Sequence, residues 1–227
     1  MMRVLTYNIR GGYGMDNFRS TRRIADVIRS LEADIVCLQE VHQRLPWTAW
    51  INQPGILHRH LRMKVVYQRN IDFGFGGYGN AILTRYPVLN TCEYRFPSTR
   101  ELRGALCVQM AAPESDIYVF CTHLGLNQEE RLEHVNTLTE IIAALQGKVI
   151  LAGDMNETAE SPAVQLLLKN TDLRDAGKAK NMATYPSLHS RKRLDYIFHS
   201  SNISLVSMET ISSTASDHLP VTADLSI

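Results

Sequence analysis

The chain contains 227 residues and carries 24 Lys and Arg against 23 Asp and Glu, for a formal charge of +1. This length suits one large domain or two small ones, and 44% hydrophobic with 21% charged residues excludes a disordered chain. The near-zero charge excludes whole-molecule attraction to nucleic acid or an anionic membrane, so binding of a polyanion requires a local patch.

Short apolar runs with many β-branched and aromatic residues recur along the chain, and such runs predict strands. Three segments repeat apolar residues at helical spacing instead. The first follows a potential N-cap at Ser20 or Thr21, and the third opens with Ser161 and Pro162. In chain order, the sequence predicts a strand over 4–9, a helix ending near 31, strands over 34–38, 64–67, 81–83, 105–110 and 117–121, a helix within 128–147, a strand over 149–152, a helix over 162–168, and strands over 195–198, 203–210 and 221–225.

These elements are spaced evenly, without a repeat or a linker, so we predict a single domain over residues 1–227. No apolar run approaches the ~20 residues of a membrane-spanning helix, and no signal peptide is visible. The four cysteines lie in apolar strand-like runs without a CxxC pair. This pattern favours buried free thiols over disulfides and predicts a cytoplasmic, reducing setting.

Polar side chains follow four of the predicted strands at the point where each strand leaves the core, and two further polar clusters lie near the C-terminus. Rigid strand ends are where binding groups converge in layered folds that contain β-sheets. We therefore take these side chains as one candidate site. The set comprises Asn8, Glu40, His123, Asp154, Asn156, Asp195, Asp217 and His218.

Each member of this set has an ordinary structural interpretation when it is taken alone. Asparagine is common in turns, Gly-Asp-x-Asn often caps local backbone groups, and a single histidine is more often a hydrogen-bonded structural residue than a catalyst. Six such features, each after or beside a strand, favour one functional site over six accidents.

Seven short motifs resemble the signature set of the endonuclease/exonuclease/phosphatase superfamily, which has the deoxyribonuclease I-like fold. They run from residue 6 to the segment that ends at residue 220, so the resemblance covers essentially the whole chain. The motifs are Thr6-Tyr7-Asn8-Ile9-Arg10-Gly11, Leu38-Gln39-Glu40-Val41, Gly79-Asn80-Ala81-Ile82-Leu83, Thr122-His123-Leu124, Gly153-Asp154-Met155-Asn156, Leu194-Asp195-Tyr196-Ile197 and Ser216-Asp217-His218.

The resemblance implies an α/β fold, a four-layer α/β sandwich in which two packed mixed β-sheets are flanked by helices. It also implies hydrolysis of a phosphoester with a divalent metal, usually Mg²⁺. The oxygen ligands of Glu40, with Asn8 and Asp217 nearby, suit Mg²⁺ and also Mn²⁺. The sequence has no HExxH motif or Cys/His cluster that favours zinc, although its two candidate histidines leave zinc as an alternative.

The resemblance also suggests roles around the phosphate. Asp154 orients or deprotonates the attacking water, and Asn156 hydrogen-bonds the phosphate or that water. His218 contacts the phosphate or transfers a proton, and Asp195 fixes its tautomer. His123 stabilises a phosphoryl oxygen or assists the leaving group. The sequence leaves open which of Asp154 and His218 is the base.

Two further residues match family segments and are predicted to bind substrate. Asn80 faces the phosphate in this interpretation, and a strand-entry turn is the alternative. Arg103 binds the phosphate through its guanidinium, and a surface ion pair is the alternative. The basic run over residues 190–193 is either a local patch for a polyanion or a solvated loop.

The substrate class stays open, because neither the fold nor the metal chemistry selects it. We predict a phosphodiester from nucleic acid or a lipid headgroup. The alternatives are a phosphomonoesterase acting on a small metabolite or an inositol phosphate, and a non-catalytic phosphate-binding module. No obligate protein partner is evident, and we expect a monomer.

Aromatic residues in loop-like segments give one further expectation about the substrate. A lipid enzyme would use an exposed apolar loop, and residues 45–57 qualify, but packing against the sandwich explains this segment equally well. We predict that Trp47 and Trp50 pack, whereas Phe73 and Phe75 are candidates for a substrate rim.

Overall fold

The computed structural model describes residues 1–178 and 182–227, which form twelve strands and four α-helices. Two short 3₁₀ turns lie at Arg10–Gly12 and Pro46–Thr48. The elements in chain order are β1 (Met2–Asn8), α1 (Thr21–Ser30), β2 (Ile35–Gln43), α2 (Gln53–Leu61), β3 (Lys64–Asp72), β4 (Gly77–Thr84), β5 (Val88–Phe96), β6 (Arg103–Ala111), β7 (Asp116–His123), α3 (Gln128–Ala143), β8 (Lys148–Asp154), α4 (Pro162–Asn170), β9 (Arg174–Asp175), β10 (Asp195–His199), β11 (Ser204–Thr210) and β12 (Val221–Ser226).

Two mixed six-stranded sheets pack face to face. The first has the order β11-β12-β1-β2-β4-β3 and the second the order β5-β6-β7-β8-β10-β9. One apolar core lies between the sheets, another lies under α1 and α2, and a third lies under α3 and α4. The four-layer α/β sandwich is therefore confirmed.

The central strands are buried on both faces, which explains their continuous apolar runs. In β2, Ile35 and Cys37 face the opposite sheet, whereas Val36 and Leu38 face the helices. The central pairs β1–β2 and β7–β8 are parallel, so their carboxyl ends lie at a common edge of each sheet.

Three elements were not predicted, and the shortest of them is the two-residue strand β9. Helix α2 contains Pro54 and Gly55, which indicate a loop when they are considered alone, but Asn52 caps the helix by accepting a hydrogen bond from the Gly55 N–H at 3.2 Å. Strand β5 lies at the edge of the second sheet and exposes most of its side chains, so it has no long apolar run. All three elements depend on contacts with neighbouring segments rather than on a strong local sequence pattern.

The predicted helix starts agree with the structure. Ser20 is the N-cap of α1 and accepts from the Arg23 N–H at 3.2 Å, and Ser161 precedes Pro162 at the start of α4. Among the helices of the described residues, none combines the length and the apolar character that crossing a bilayer requires.

Candidate active site

Four of the predicted residues lie at strand ends along one edge of the sandwich. Asn8 ends β1, His123 ends β7, Asp154 ends β8 and Asp195 begins β10. In the second sheet, His123 and Asp195 are the register partners of Asp154 on either side. The tertiary fold thus brings together residues that are far apart in the sequence.

The buried carboxylate of Asp154 is the centre of this cluster. Its Oδ2 accepts a hydrogen bond from Asn8 Nδ2 at 3.0 Å, and the Nε2 atoms of His123 and His218 face it at 3.6 and 3.7 Å. Its Oδ1 accepts from the backbone N–H of Asn156 at 2.9 Å. Three nitrogen atoms therefore surround one carboxylate oxygen.

His218 lies between two carboxylates. Its Nδ1 is 2.9 Å from Asp195 Oδ2, and the Tyr185 ring packs against it with centroids 4.8 Å apart. Burial alone lowers the pKa of His218, but Asp195, Asp154 and Asp217 together raise it to about 10. Both ring nitrogens therefore carry protons at neutral pH, and Nε2–H points toward Asp154.

His123 has the opposite electrostatic environment. Arg103 Nη1 lies 3.1 Å from His123 Nδ1, and a guanidinium only donates, so Nδ1 accepts and Nε2 carries the proton. Burial lowers the pKa of His123 well below its usual value, and the charges of Arg103 and His218 add to this effect. Glu101 holds the other arm of Arg103 at 2.9 Å. His123 is therefore a neutral ring that presents an N–H to Asp154.

A β-bulge aims Glu40 at the site. The pairing of β2 with β4 shifts between Leu38 and Val41, so that Gln39 and Glu40 together face Asn80. Glu40 itself adopts φ +58°, in the left-handed region that non-glycine residues seldom occupy. The bulge turns Glu40 out of the regular alternation of β2, and its Oε1 accepts from Asn8 Nδ2 at 3.0 Å.

The carboxylates of this edge repel one another. Burial raises the pKa of Glu40 to about 7, helped by the charges of Asp154 and Asp217 and opposed by the hydrogen bond from Asn8. Burial also raises the pKa of Asp154 to about 6, with a further contribution from Asp195, although the charge of His218 opposes it. A bound cation would relieve this repulsion.

The donor atoms fit a hard divalent cation. Glu40 and Asp217 offer carboxylate oxygens, which Mg²⁺ and Mn²⁺ prefer, and the charge of Asp217 acts on the Glu40 carboxyl. A second group, Asp154, Asp195 and His218, has one potential ligand atom from each residue within 4.8 Å of the others. The members of that group are already engaged with one another, because Asp195 Oδ2 lies 2.9 Å from His218 Nδ1 and His218 Nε2 faces Asp154 Oδ2.

The other predicted residues lie around this centre. The side-chain amide of Asn156 donates a hydrogen bond to Leu124 O at 3.0 Å. Asp217 is partly exposed at the opening of the site, and its Oδ2 lies 3.6 Å from Arg10 Nε. Asn80 donates to two backbone carbonyl groups of the second sheet, and its Oδ1 is buried without a partner among the described residues.

Arg103 lies behind His123, where it is almost completely buried. The surface ion pair weighed as its alternative is therefore excluded, because Arg103 is buried and contacts His123 and Tyr78 as well as Glu101. Its predicted contact with a phosphate stays a prediction.

Three residues of the site region had no assigned role in the sequence. Ser216 Oγ donates to Asn8 O at 2.7 Å and so fastens the Asp217–His218 loop to β1. Glu101 orients Arg103, and Tyr185 covers the His218 ring. Ser216 stood within a recognised motif, whereas no local pattern marks Glu101 or Tyr185.

The basic run over 190–193 is partly structural. Arg193 forms an ion pair with Asp175 and lies over the Tyr196 ring at 4.2 Å. Arg191 and Lys192 are exposed, so two of the three cations remain available to solvent.

Comparisons with known proteins agree with this geometry. The profile of the Endonuclease/Exonuclease/phosphatase family matches residues 5–218. The uncharacterized protein YbhP of Escherichia coli K12 is 34% identical over 215 residues, which cover 86% of this chain and 83% of YbhP. An endonuclease/exonuclease/phosphatase structure from Bacteroides vulgatus superimposes with a TM-score of 0.86 at 21% identity, covering 100% of this chain and 98% of that one. A mannosyl-6-phosphatase from Bacteroides thetaiotaomicron gives 0.84 at 18% identity, with both chains fully covered. These two likenesses establish the fold.

Proposed function

The chain belongs to the endonuclease/exonuclease/phosphatase family, whose members hydrolyse phosphoesters, and we propose that it is a divalent-metal-dependent phosphodiesterase. The observation that carries this proposal is the convergence of Asn8, His123 and His218 on one oxygen of Asp154. An acceptor surrounded by N–H donors suits a reaction in which a water loses a proton while phosphoryl oxygens gain charge.

The metal is proposed to be Mg²⁺, with Mn²⁺ able to replace it. Glu40 would anchor the ion, and Asp217 would complete the set of carboxylate ligands. Asn8 orients the carboxylates, because its amide nitrogen bonds both Glu40 and Asp154. When bound, such an ion polarises a phosphoryl oxygen and neutralises the charge that develops there.

Asp154 is the proposed base. Its Oδ2 is the acceptor at the centre of the cluster, whereas His218 holds a proton on each nitrogen between Asp195 and Asp154. His218 therefore acts as a donor, to a phosphoryl oxygen or to the leaving group, and His123 donates Nε2–H from the other side. The backbone N–H of Asn156 fixes the orientation of the Asp154 carboxylate.

The charge of the site supports a diester rather than a monoester. The negative charges of Asp154, Asp195 and Asp217 raise the pKa of His218. The charges of Asp154 and Asp217 also raise the pKa of Glu40. A phosphodiester carries one negative charge at neutral pH, whereas a monoester carries nearly two. Even with a divalent cation and a protonated His218, the four carboxylates of Glu40, Asp154, Asp195 and Asp217 leave about one negative charge in the site, so the monoanion is favoured.

Hydrolysis of bis-p-nitrophenyl phosphate by the purified protein tests the proposal. We expect turnover with Mg²⁺ or Mn²⁺ and none with EDTA. The Asp154→Asn protein should lose roughly 10²- to 10⁴-fold in kcat, the usual contribution of a general base. Asp26→Asn, a change to an exposed carboxylate on α1 paired with Arg29, is the matched control and should keep wild-type activity.

Two results would contradict the proposal. One is turnover that survives EDTA or the Asp154→Asn change, since it would arise elsewhere. The other is faster hydrolysis of p-nitrophenyl phosphate than of the diester, which would assign the site to monoesters.

A further inference from the structure

Four large aromatic side chains form one exposed patch on two neighbouring turns. The exposed fractions are 60% for Trp47, 57% for Trp50, 43% for Phe73 and 51% for Phe75. Trp47 contacts Phe73 edge to face at 5.4 Å between centroids, Trp50 contacts Phe75 at 5.5 Å, and the two Phe rings lie 6.3 Å apart. We call these four residues the aromatic rim. The prediction that the two tryptophans pack into the sandwich is wrong.

The first turn is closed and well anchored. Leu45 is buried and its carbonyl accepts from Trp50 N–H at 3.1 Å, while Arg44 N–H donates to Ile51 O at 2.8 Å. Ala49 and Trp50 both adopt left-handed backbone conformations, with φ of +53° and +57°. The turn thus buries its one aliphatic anchor and holds both indole rings outward.

The second turn is the β3–β4 hairpin, and it rests directly on the first. Phe73 N–H donates to Gly76 O at 2.9 Å. A Cβ at Gly76 would lie 2.3 Å from Gln43 O and 2.4 Å from Arg44 O, so only glycine allows the two backbones to approach this closely. The close approach joins the rings of both turns into one surface.

The rim lies on the same edge of the sandwich as the candidate active site. Gln43 ends β2 and pairs with Gly77 at the start of β4, so both turns leave the sheet there. Glu40 lies on the same strand, three residues before Gln43, and three residues of extended chain span at most about 10 Å. Any surface that binds the aromatic rim would therefore lie beside the opening of the candidate active site.

Cations accompany the rim. Arg44 is exposed within the first turn, and Arg19 donates to the carbonyl of Trp47 at 3.3 Å. The acidic residue of the hairpin, Asp72, is paired with Arg69 at 3.0 Å. The rim is thus an apolar surface with a positive border.

We propose that the aromatic rim docks the protein on an anionic phospholipid surface. Tryptophan and phenylalanine rings partition into the boundary between headgroups and acyl chains, and arginine is attracted to anionic headgroups. Stacking of nucleic-acid bases is less suited, because neighbouring rings inclined at 89° and 61° do not present parallel faces to a continuous run of bases. Docking would bring a lipid phosphodiester to Glu40 and Asp154, and this consequence rests on the proposed function.

Intrinsic fluorescence tests the docking directly, because Trp47 and Trp50 are the only tryptophans of the chain. The whole protein is titrated with vesicles of equimolar phosphatidylcholine and phosphatidylglycerol, and with vesicles of phosphatidylcholine alone. We expect a blue shift of the emission with the anionic vesicles, which weakens as salt is raised. Neutral vesicles should give a much smaller shift.

Two variants keep both fluorophores. The double change Phe73→Ser with Phe75→Ser and the single change Arg44→Gln should each weaken vesicle binding, the former by about tenfold or more. The control replaces Leu89 and Val206 by Ser, since both are exposed apolar residues on strands outside the rim. Circular dichroism will show whether the Phe double variant folds. If it does not, vesicle binding by the Arg44→Gln protein alone tests the proposal.

The Asp154→Asn protein separates docking from catalysis. It should bind anionic vesicles like the wild type, so a failure of the proposed hydrolysis leaves the docking result intact. No shift with either vesicle, equal shifts with both, or binding unchanged by the variants would overturn the proposal. A shift that grows with protein concentration without vesicles would assign the rim to a second copy, and a shift with single-stranded DNA alone would assign it to nucleic acid.

Discussion

Two histidines face the same oxygen of Asp154, yet they carry different charges, and the cause is the partner of each second ring nitrogen. Asp195 holds a proton on Nδ1 of His218, whereas Arg103 donates to Nδ1 of His123. One ring is therefore a cation with a pKa of about 10, and the other is neutral. At the residue scale, these neighbours decide which ring nitrogens of each histidine carry a proton.

We propose that Arg103 is a positioning residue, which acts through its contact with His123. Arg103→Gln should lower kcat roughly 10- to 100-fold with little change in KM. The ¹⁵N chemical shifts of His123 are a readout that a purely structural role would not move. They should show the Nε2–H tautomer in the wild type and a mixture in the variant.

Two further variants complete this test. In Arg103→Lys the ammonium can still donate a hydrogen bond, so this variant should preserve the Nε2–H tautomer of His123 better than Arg103→Gln does. Arg95→Gln replaces an exposed residue on β5 and should change neither kcat nor the ¹⁵N shifts of His123. Wild-type shifts in the Arg103→Gln protein would contradict the role.

The pKa values of Glu40 and Asp154 predict how metal affinity depends on pH. The pKa values of both carboxyls are raised, to about 7 for Glu40 and about 6 for Asp154. Below these values a proton on Glu40 competes with the cation, and a proton on Asp154 removes a negative charge that attracts it. Affinity for Mn²⁺ should therefore fall as the pH drops from about 8 to about 5.5, up to roughly tenfold per pH unit for each displaced proton. Calorimetry in buffers of different ionisation enthalpy measures the protons released. A pH-independent affinity would show that Glu40 does not bind the ion.

At the element scale, local irregularities place the functional groups. The bulge of β2 aims Glu40, and Gly153 on β8 has its backbone so close to β7 that a Cβ would lie 2.0 Å from Thr122 O. Helix α3 contributes Glu130, whose carboxylate accepts from Thr99 N–H at 2.7 Å, from Thr99 Oγ1 at 2.7 Å and from Ser98 Oγ at 2.9 Å. These bonds fasten the segment between β5 and β6 that leads to Arg103.

Glu130 should stabilise the fold in a pH-dependent way. The backbone hydrogen bond from Thr99 is the main cause that lowers the pKa of Glu130 to about 2, with the hydroxyls of Thr99 and Ser98 adding to it. Its contribution is complete above the unfolded pKa of about 4.5 and is lost as the pH falls toward 2. Glu130→Gln should lower the free energy of unfolding by about 1–3 kcal/mol at neutral pH and less at about pH 3.

Urea denaturation at the two pH values measures this difference. Glu129→Gln, on the exposed neighbouring position of α3, is the control and should cost little at either pH. An equal cost of Glu130→Gln at both pH values would contradict the prediction, because the bonds would then not require the charge.

At the scale of the whole molecule, the candidate site is shared between the two sheets. Asn8 and Glu40 come from the first sheet, and His123, Asp154 and Asp195 come from the second. The hydrogen bond from Asn8 to Asp154 joins the sheets at their common edge. The site therefore exists only when the sheets are packed together.

Metal binding should consequently stabilise the packed sandwich. A ligand at about 100 times its Kd stabilises the native state by about 2.7 kcal/mol, which corresponds to roughly 5–10 °C in Tm for a chain of this size. We expect Mg²⁺ at saturation to raise Tm by this amount, and Glu40→Gln to abolish the rise. Glu93→Gln, on the exposed edge strand β5, should leave it unchanged. A rise that persists in the Glu40→Gln protein would place the ion elsewhere.

The sequence determined the architecture and the membership of the site to a large extent. Central strands buried on both faces produce apolar runs, amphipathic helices produce a regular repeat, and polar residues at strand ends stand out against both, so all three are local signals. The edge strands β5 and β9 and the capped helix α2 lack such signals, and they were missed. The single domain, the monomeric state and the cytoplasmic setting stay predictions.

Only the tertiary structure decided how the site residues act. The bulge at Glu40 depends on its pairing with β4, and the proton positions of His123 and His218 depend on Arg103 and Asp195, which lie 20 and 23 residues away along the chain. The exposure of Trp47 and Trp50 likewise depends on how the β3–β4 hairpin rests on their turn. Burial, charge and proton position arise from contacts between distant segments, so no local pattern of residues contains them.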